Sequence, residues 1–178
     1  MHSSDRPGPH DTTPMARCLS QWHRVLASDR DALADLLADE AVLHSPIVFT
    51  PQRGKDLVLL YLTGAMMTFG GDADHAATGG TSVAAPPPES RASGGREGSA
   101  ADTWDGRFRY VRTVTGSHDA VLEFETTMRG TYVNGVDMIR CNDEGRIVDF
   151  KVMIRPLRAV NTVHELMAAA LEQLQGRD

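Results

Sequence analysis

One carboxyl stands inside a strand-like run at residues 134–152, NGVDMIRCNDEGRIVDFKV: Asp137, between Val136 and Met138. Alternation puts Asp137 on one face with Val133, Gly135 and Ile139, and Asn134, Val136, Met138 and Arg140 on the other. A carboxyl among apolar or small neighbours resists ionisation. Such a group suits proton transfer, or donation of a hydrogen bond to a carbonyl oxygen.

Other candidates are weaker chemically. His44 and Ser45 are adjacent, so on a strand they point to opposite faces and cannot both line one cavity. Ser45 has no base placed to activate it as a nucleophile and serves as a hydrogen-bonding wall. Glu123 and Glu125 alternate with Leu122 and Phe124, the pattern of a half-buried strand, and face away with Lys151 and Arg155 as cross-strand partners. His23, His44, His118 and His164 show no metal-ligand spacing with a carboxylate, so no metal is expected. The glycines near residue 70 follow a helical pattern instead of a strand, which is the wrong context for a phosphate loop. Cys18 and Cys141 lie far apart along the chain and read as free thiols of a reducing compartment.

The elements that hold these residues follow from periodicity. Met15 to Ala27 spaces Cys18, Trp22, Val25 and Leu26 as a helix, and Ser28 with Asp31 forms a near capping box for a second helix through Leu33, Leu36 and Leu37. A short strand is expected from Ala41 to Val48, interrupted at Ser45-Pro46. Gly54-Lys55-Asp56 opens a third helix carrying Leu57, Leu60, Tyr61, Ala65 and Met66. The period then changes to two: Phe108–Thr115, Asp119–Arg129, Thr131–Cys141 and Arg146–Arg155 read as strands joined by GSHD and NDEG turns. Pro156 ends the last, and Val160 to Leu174 forms an amphipathic helix. The class is α+β, with helices on one face of a curved, mainly antiparallel sheet.

Composition divides the chain. Residues 1–14 are polar and proline-bearing and read as a disordered arm; 15–178 read as a single domain with a flexible low-complexity insertion at 70–103 that holds His75. A net charge of −6 leaves no basic stripe for nucleic acid. The N-terminal stretch lacks a signal-peptide core, and no apolar run reaches the ~20 residues of a membrane span, so a cytoplasmic protein with no membrane contact is expected.

Three stretches carry a family resemblance: 28-SDRDALADLLADEAVLHSP-46, Arg53-Gly54-Lys55, and 135-GVDMIRCNDEGRIVDF-150. Together they resemble the nuclear transport factor 2-like superfamily, which includes ketosteroid isomerases and SnoaL-like polyketide cyclases. The resemblance implies a cone-shaped barrel of a curved sheet with helices packed on its concave face. It places Asp137 at the position of the isomerases' oxyanion-hole acid and Ser45 where those enzymes carry their general base. Their oxyanion tyrosine falls near Gln21 and Trp22. Two of the three isomerase parts are thus replaced, which argues against ketosteroid isomerisation itself. Epoxide hydrolysis, as in the limonene epoxide hydrolases, needs a second inward acid and an inward arginine that the strand patterns do not offer.

The resulting expectation is a cofactor-free isomerase- or cyclase-like protein acting on a small hydrophobic carbonyl or polyketide-like molecule. Asp137 is its acid, Ser45 and His44 are supporting groups, and Trp22, Tyr61, Leu122, Phe124, Phe150 and Val152 are its substrate walls. The alternative is a non-catalytic ligand-binding or interaction domain of the same fold. Either form is expected to be a homodimer through the outer sheet face.

Overall fold

The computed structural model describes residues 13–27, 29–70 and 104–176. The arm, apart from Thr13 and Pro14, lies outside these residues, as do Ser28, His75 and the insertion apart from Gly70. The first helix, α1 (Pro14–Ala27), begins where Thr13 Oγ1 accepts the Ala16 backbone N–H at 3.1 Å, with proline in the first helical position, where a missing N–H costs nothing. Its buried stripe of Met15, Cys18, Leu19, Trp22 and Val25 faces the sheet.

A 3-10 turn (Arg30–Ala32) and a short helix α2 (Leu33–Leu36) follow. The chain then becomes extended at Leu37, where a continuing helix was expected, and β1 runs Leu37–His44 instead of Ala41–Val48. Leu37, Ala38, Ala41 and Leu43 are all buried, so the strand starts at once to place them in the core. Ser45-Pro46 ends it rather than interrupting it. A two-residue strand absent from the periodicity, β2 (Gln52–Arg53), pairs back on β1 before α3 (Lys55–Gly70).

The meander lies where alternation puts it: β3 (Arg109–Thr115), β4 (Asp119–Met128), β5 (Thr131–Cys141) and β6 (Ile147–Arg155), then α4 (Leu157–Gln175). The order across the open sheet is β2-β1-β6-β5-β4-β3, antiparallel except for the parallel β1–β6 pair. The turn between β5 and β6 is built by its own side chain. Asn142 Oδ1 accepts the backbone N–H groups of Glu144 at 3.1 Å and Arg146 at 2.9 Å, and Gly145 supplies a φ of +81°.

The core lies between helices and sheet in two adjoining clusters. One gathers α1, α2, β1 and α3 around Trp22, Leu122 and Phe150. The other gathers Phe124, Met128, Val133, Ala159 and Val163 beneath α4. The two cysteines, distant in sequence, meet here as neighbouring buried thiols, and burial with the nearby Cys141 sulfur pushes Cys18 up to about 12. Among the described residues no helix is long and apolar enough to cross a membrane.

Candidate functional site

Asp137 is on the inner face of β5, with Leu122 of β4 and Val152 of β6 directly beside it in register. Both lateral neighbours are apolar, and the residue is 6% exposed. Tyr110 reaches it from β3: its hydroxyl donates to Asp137 Oδ2 at 2.6 Å. The indole Nε1–H of Trp22, on α1, donates to the Tyr110 oxygen at 2.9 Å. The relay therefore runs in one direction, from indole to phenol to carboxyl.

Burial dominates the electrostatics. It raises the Asp137 carboxyl from 3.8 to about 7, against the opposing pull of the Tyr110 hydrogen bond. Burial, reinforced by the Asp137 charge and hydrogen bond, holds Tyr110 well above the usual phenol range, so Tyr110 keeps its proton and remains the donor. Near neutral pH Asp137 is therefore close to evenly divided between acid and base forms, the condition for general acid–base exchange. Tyr110 is the protein partner of Oδ2; Oδ1 has none among the described residues and is open to the cavity.

That cavity has a volume of about 390 Å³. Its walls are apolar: Leu62, Ala65 and Met66 from α3 on one side, Phe150 and Val152 of β6 at the base. Phe69, Phe108 and Phe124 enclose one end, with Phe69 meeting Phe124 edge-on at 5.7 Å and Phe108 lying 5.2 Å from Phe124. Trp22 is held against Phe150 at 5.2 Å, which fixes the indole that feeds the relay. A few polar groups in an apolar cleft of this size is the usual build of a small-molecule site.

Of the residues expected to form the site, Asp137, Trp22, Phe124, Phe150 and Val152 come together around this cavity. The others do not. Leu122 does face inward, but it is wholly buried in the core cluster and does not line the cavity. Tyr61 and Ser45 line a separate space of about 50 Å³ beside the main cavity. Ser45 Oγ is occupied in a local turn, accepting the backbone N–H groups of Ile47 at 3.1 Å and Val48 at 3.3 Å. His44 points the other way, and its Nε2 pairs with Asp149 Oδ2 at 2.9 Å. Neither is placed to assist Asp137.

Tyr110 escaped sequence reasoning, as did His23 and Arg30, which also line the cavity. Phe108 and Tyr110 stand two apart, a same-face signal, but β3 is so exposed that alternation there carries little information. Arg30 supplies the cavity arginine that strand patterns did not offer, because it comes from the 3-10 turn after α1. Among the described residues no three His, Cys, Asp or Glu side chains are grouped as a metal ion requires.

No protein-family model matches the sequence, and no curated protein matches it. Solved structures do. A steroid delta-isomerase from Pseudomonas aeruginosa is 26% identical, with a TM-score of 0.68 over 92% of this chain and 95% of that one. A bacterial protein with a cystatin-like fold from Silicibacter pomeroyi is 22% identical, with a TM-score of 0.63 over 90% and 88%. A nuclear transport factor 2-like protein of unknown function from Mesorhizobium loti is 18% identical, with a TM-score of 0.54 over 85% and 98%. With helices on the inner face of an open, mostly antiparallel sheet, the chain has the nuclear transport factor 2-like fold of these structures.

Proposed function

We propose that the cavity binds a small hydrophobic carbonyl compound and that Asp137 acts on its oxygen, without cofactor, in an isomerase- or cyclase-like proton transfer. The observation that supports this is the carboxyl at the cavity wall, held near neutrality by burial and fixed by Tyr110. With Oδ2 engaged by Tyr110, the protonated acid carries its hydrogen on Oδ1 and donates it to a ligand oxygen, stabilising an enolate as it forms. The similarity to a steroid delta-isomerase agrees with this use of the site. Among the described lining residues, the other side chain able to accept a proton is the imidazole of His23.

One observation favours a non-catalytic, ligand-binding domain instead: Asp137 is the single carboxylate among the described lining residues. The two readings separate in one experiment. Hydrophobic aryl ketones are screened by thermal shift, and those that bind are followed in deuterated buffer for exchange at the carbon next to the carbonyl. The enzymatic reading expects exchange by the wild type, lost in Asp137→Asn with binding retained. Binding without exchange supports the carrier. No thermal shift by any ketone, or wild-type binding by both Asp137→Asn and Asp137→Leu, removes Asp137 as the site.

We also propose that the outer sheet face joins two copies. Val114, Val121 and Met138 form a cross-strand row there, and Met153 lies on the adjoining row, all 37% exposed or more. Arg109–Glu125 and Arg140–Asp119 pairs flank them, so the face carries both signs of charge, as a two-fold contact requires. Light scattering is expected to give a dimer, and Met138→Glu a monomer.

A further inference from the structure

The cavity is apolar within, yet two side chains able to carry positive charge stand at its edge. His23 projects from α1 and Arg30 from the 3-10 turn that follows; both are exposed and both line the cavity, which places them at its rim. Among the described residues the Arg30 guanidinium has no ion-pair or hydrogen-bond partner; only its backbone carbonyl is engaged, by the Leu33 N–H. The nearest carboxylate in sequence that is engaged, Asp29, is held by Arg24 at 2.9 Å. Asp31 is not among the lining residues. In a chain of net charge −6, the described rim of this cavity presents a guanidinium and an imidazole, with Asp137 the one carboxylate among the described lining residues.

The imidazole of His23 lies 6.0 Å from the Tyr110 ring, so the rim and the Asp137 relay belong to one continuous space. From the floor upward a ligand meets a hydrogen-bonding carboxyl, aromatic and aliphatic walls, then a cationic edge. We infer that the natural ligand is an apolar ketone that also carries a carboxylate, with the ketone at Asp137 and the carboxylate at Arg30 and His23. This rests on the proposed binding of a carbonyl compound and narrows it to a keto acid. A guanidinium recognises a carboxylate through paired N–H donors, and at an edge shielded on one side by apolar walls that contact is stronger than in open water. The rim then fixes which end of the ligand enters first.

The test uses naphthoylpropionic acid, an aryl ketone with a terminal carboxylate, and its methyl ester. Affinities are measured by calorimetry on the full chain for the wild type, Arg30→Gln and His23→Gln. The acid is expected to bind about tenfold more tightly than the ester to the wild type. Arg30→Gln is expected to remove that preference by weakening the acid alone, and His23→Gln to reduce it in part. The unchanged ester affinity serves as the control for folding and for the cavity itself. Equal binding of acid and ester by the wild type overturns the keto-acid inference and leaves the carbonyl pocket standing. Equal losses for acid and ester in Arg30→Gln overturn it as well. If neither compound binds, the pocket reading and this inference fall together.

Discussion

The two faces of strands β3 to β5 carry the same kinds of residue with opposite consequences. Inside, Asp137 sits between Leu122 and Val152, and Tyr110 is its hydrogen-bond partner. Outside, Glu125 meets Arg109 at 2.7 Å and Asp119 meets Arg140 at 2.7 Å, with solvent close by. A carboxyl one residue further along the same strand would cross from one regime to the other, because the side-chain period is two. Charge on the outer face is neutralised by partners and water. On the inner face the carboxyl has no cationic partner among the described residues, and burial raises its affinity for the proton instead.

The sharpest way to separate the faces is pH. Asp137 holds a proton in the folded protein up to about 7, while the unfolded carboxyl releases it near 3.8. In that window the folded state binds more protons, so this contribution to stability is complete below 3.8, declines as pH rises, and is gone above about 7. The full window corresponds to about 4 kcal/mol. Chemical denaturation of wild type and Asp137→Asn at pH 5 and pH 8 is expected to show their stability difference changing by about 3 kcal/mol, the wild type losing at the higher pH. Parallel pH dependence of the two proteins would show that Asp137 ionises as an ordinary carboxyl.

The next largest effect tests how closely the inner face is packed. A Cβ at Gly135 would collide with the Phe124 ring and lie 2.6 Å from the Met153 carbonyl oxygen. Gly135→Ala therefore requires the cavity's aromatic wall or the β5–β6 pairing to move, at a cost of about 2–3 kcal/mol in a urea titration. An alanine on the outer face, at Met138, is expected to change stability far less.

Much of this contrast was legible in the sequence. Strict alternation from Thr131 to Cys141 placed Asp137 on the apolar face, and β5 has the bounds that alternation indicates. Glu123 and Glu125 fell on the other face for the same reason. What periodicity cannot reach is the depth of the cavity along that face. Leu122 and Asp137 are register partners, yet one is wholly buried in the core and the other borders open space, a difference set by tertiary packing. Ser45 looked like a pocket residue because its neighbours matched a family pattern, but two backbone N–H groups claim its oxygen. Tyr110 was hidden by the register shift between Tyr110 and Arg112, which breaks alternation in β3.

Two adjacent residues of β3 divide between the faces. Tyr110 turns inward and Arg109 outward, so truncating each samples one face with the strand held constant. Tyr110→Phe removes the donor to Asp137 and the acceptor for the Trp22 indole, leaving buried polar groups without partners. It is expected to cost about 2 kcal/mol and to move the Asp137 titration further upward, because the hydrogen bond that favours the ionised form is gone. Arg109→Gln breaks the Glu125 pair and the stacking of the guanidinium over Trp104 at 5.2 Å. Both partners remain near water, so the expected loss is about 1 kcal/mol or less and shrinks in high salt. The measurement is the denaturation midpoint of each variant at low and high ionic strength. A salt-insensitive loss at Arg109 as large as that at Tyr110 would mean the outer face is as enclosed as the inner one, which two copies meeting across that face would bring about.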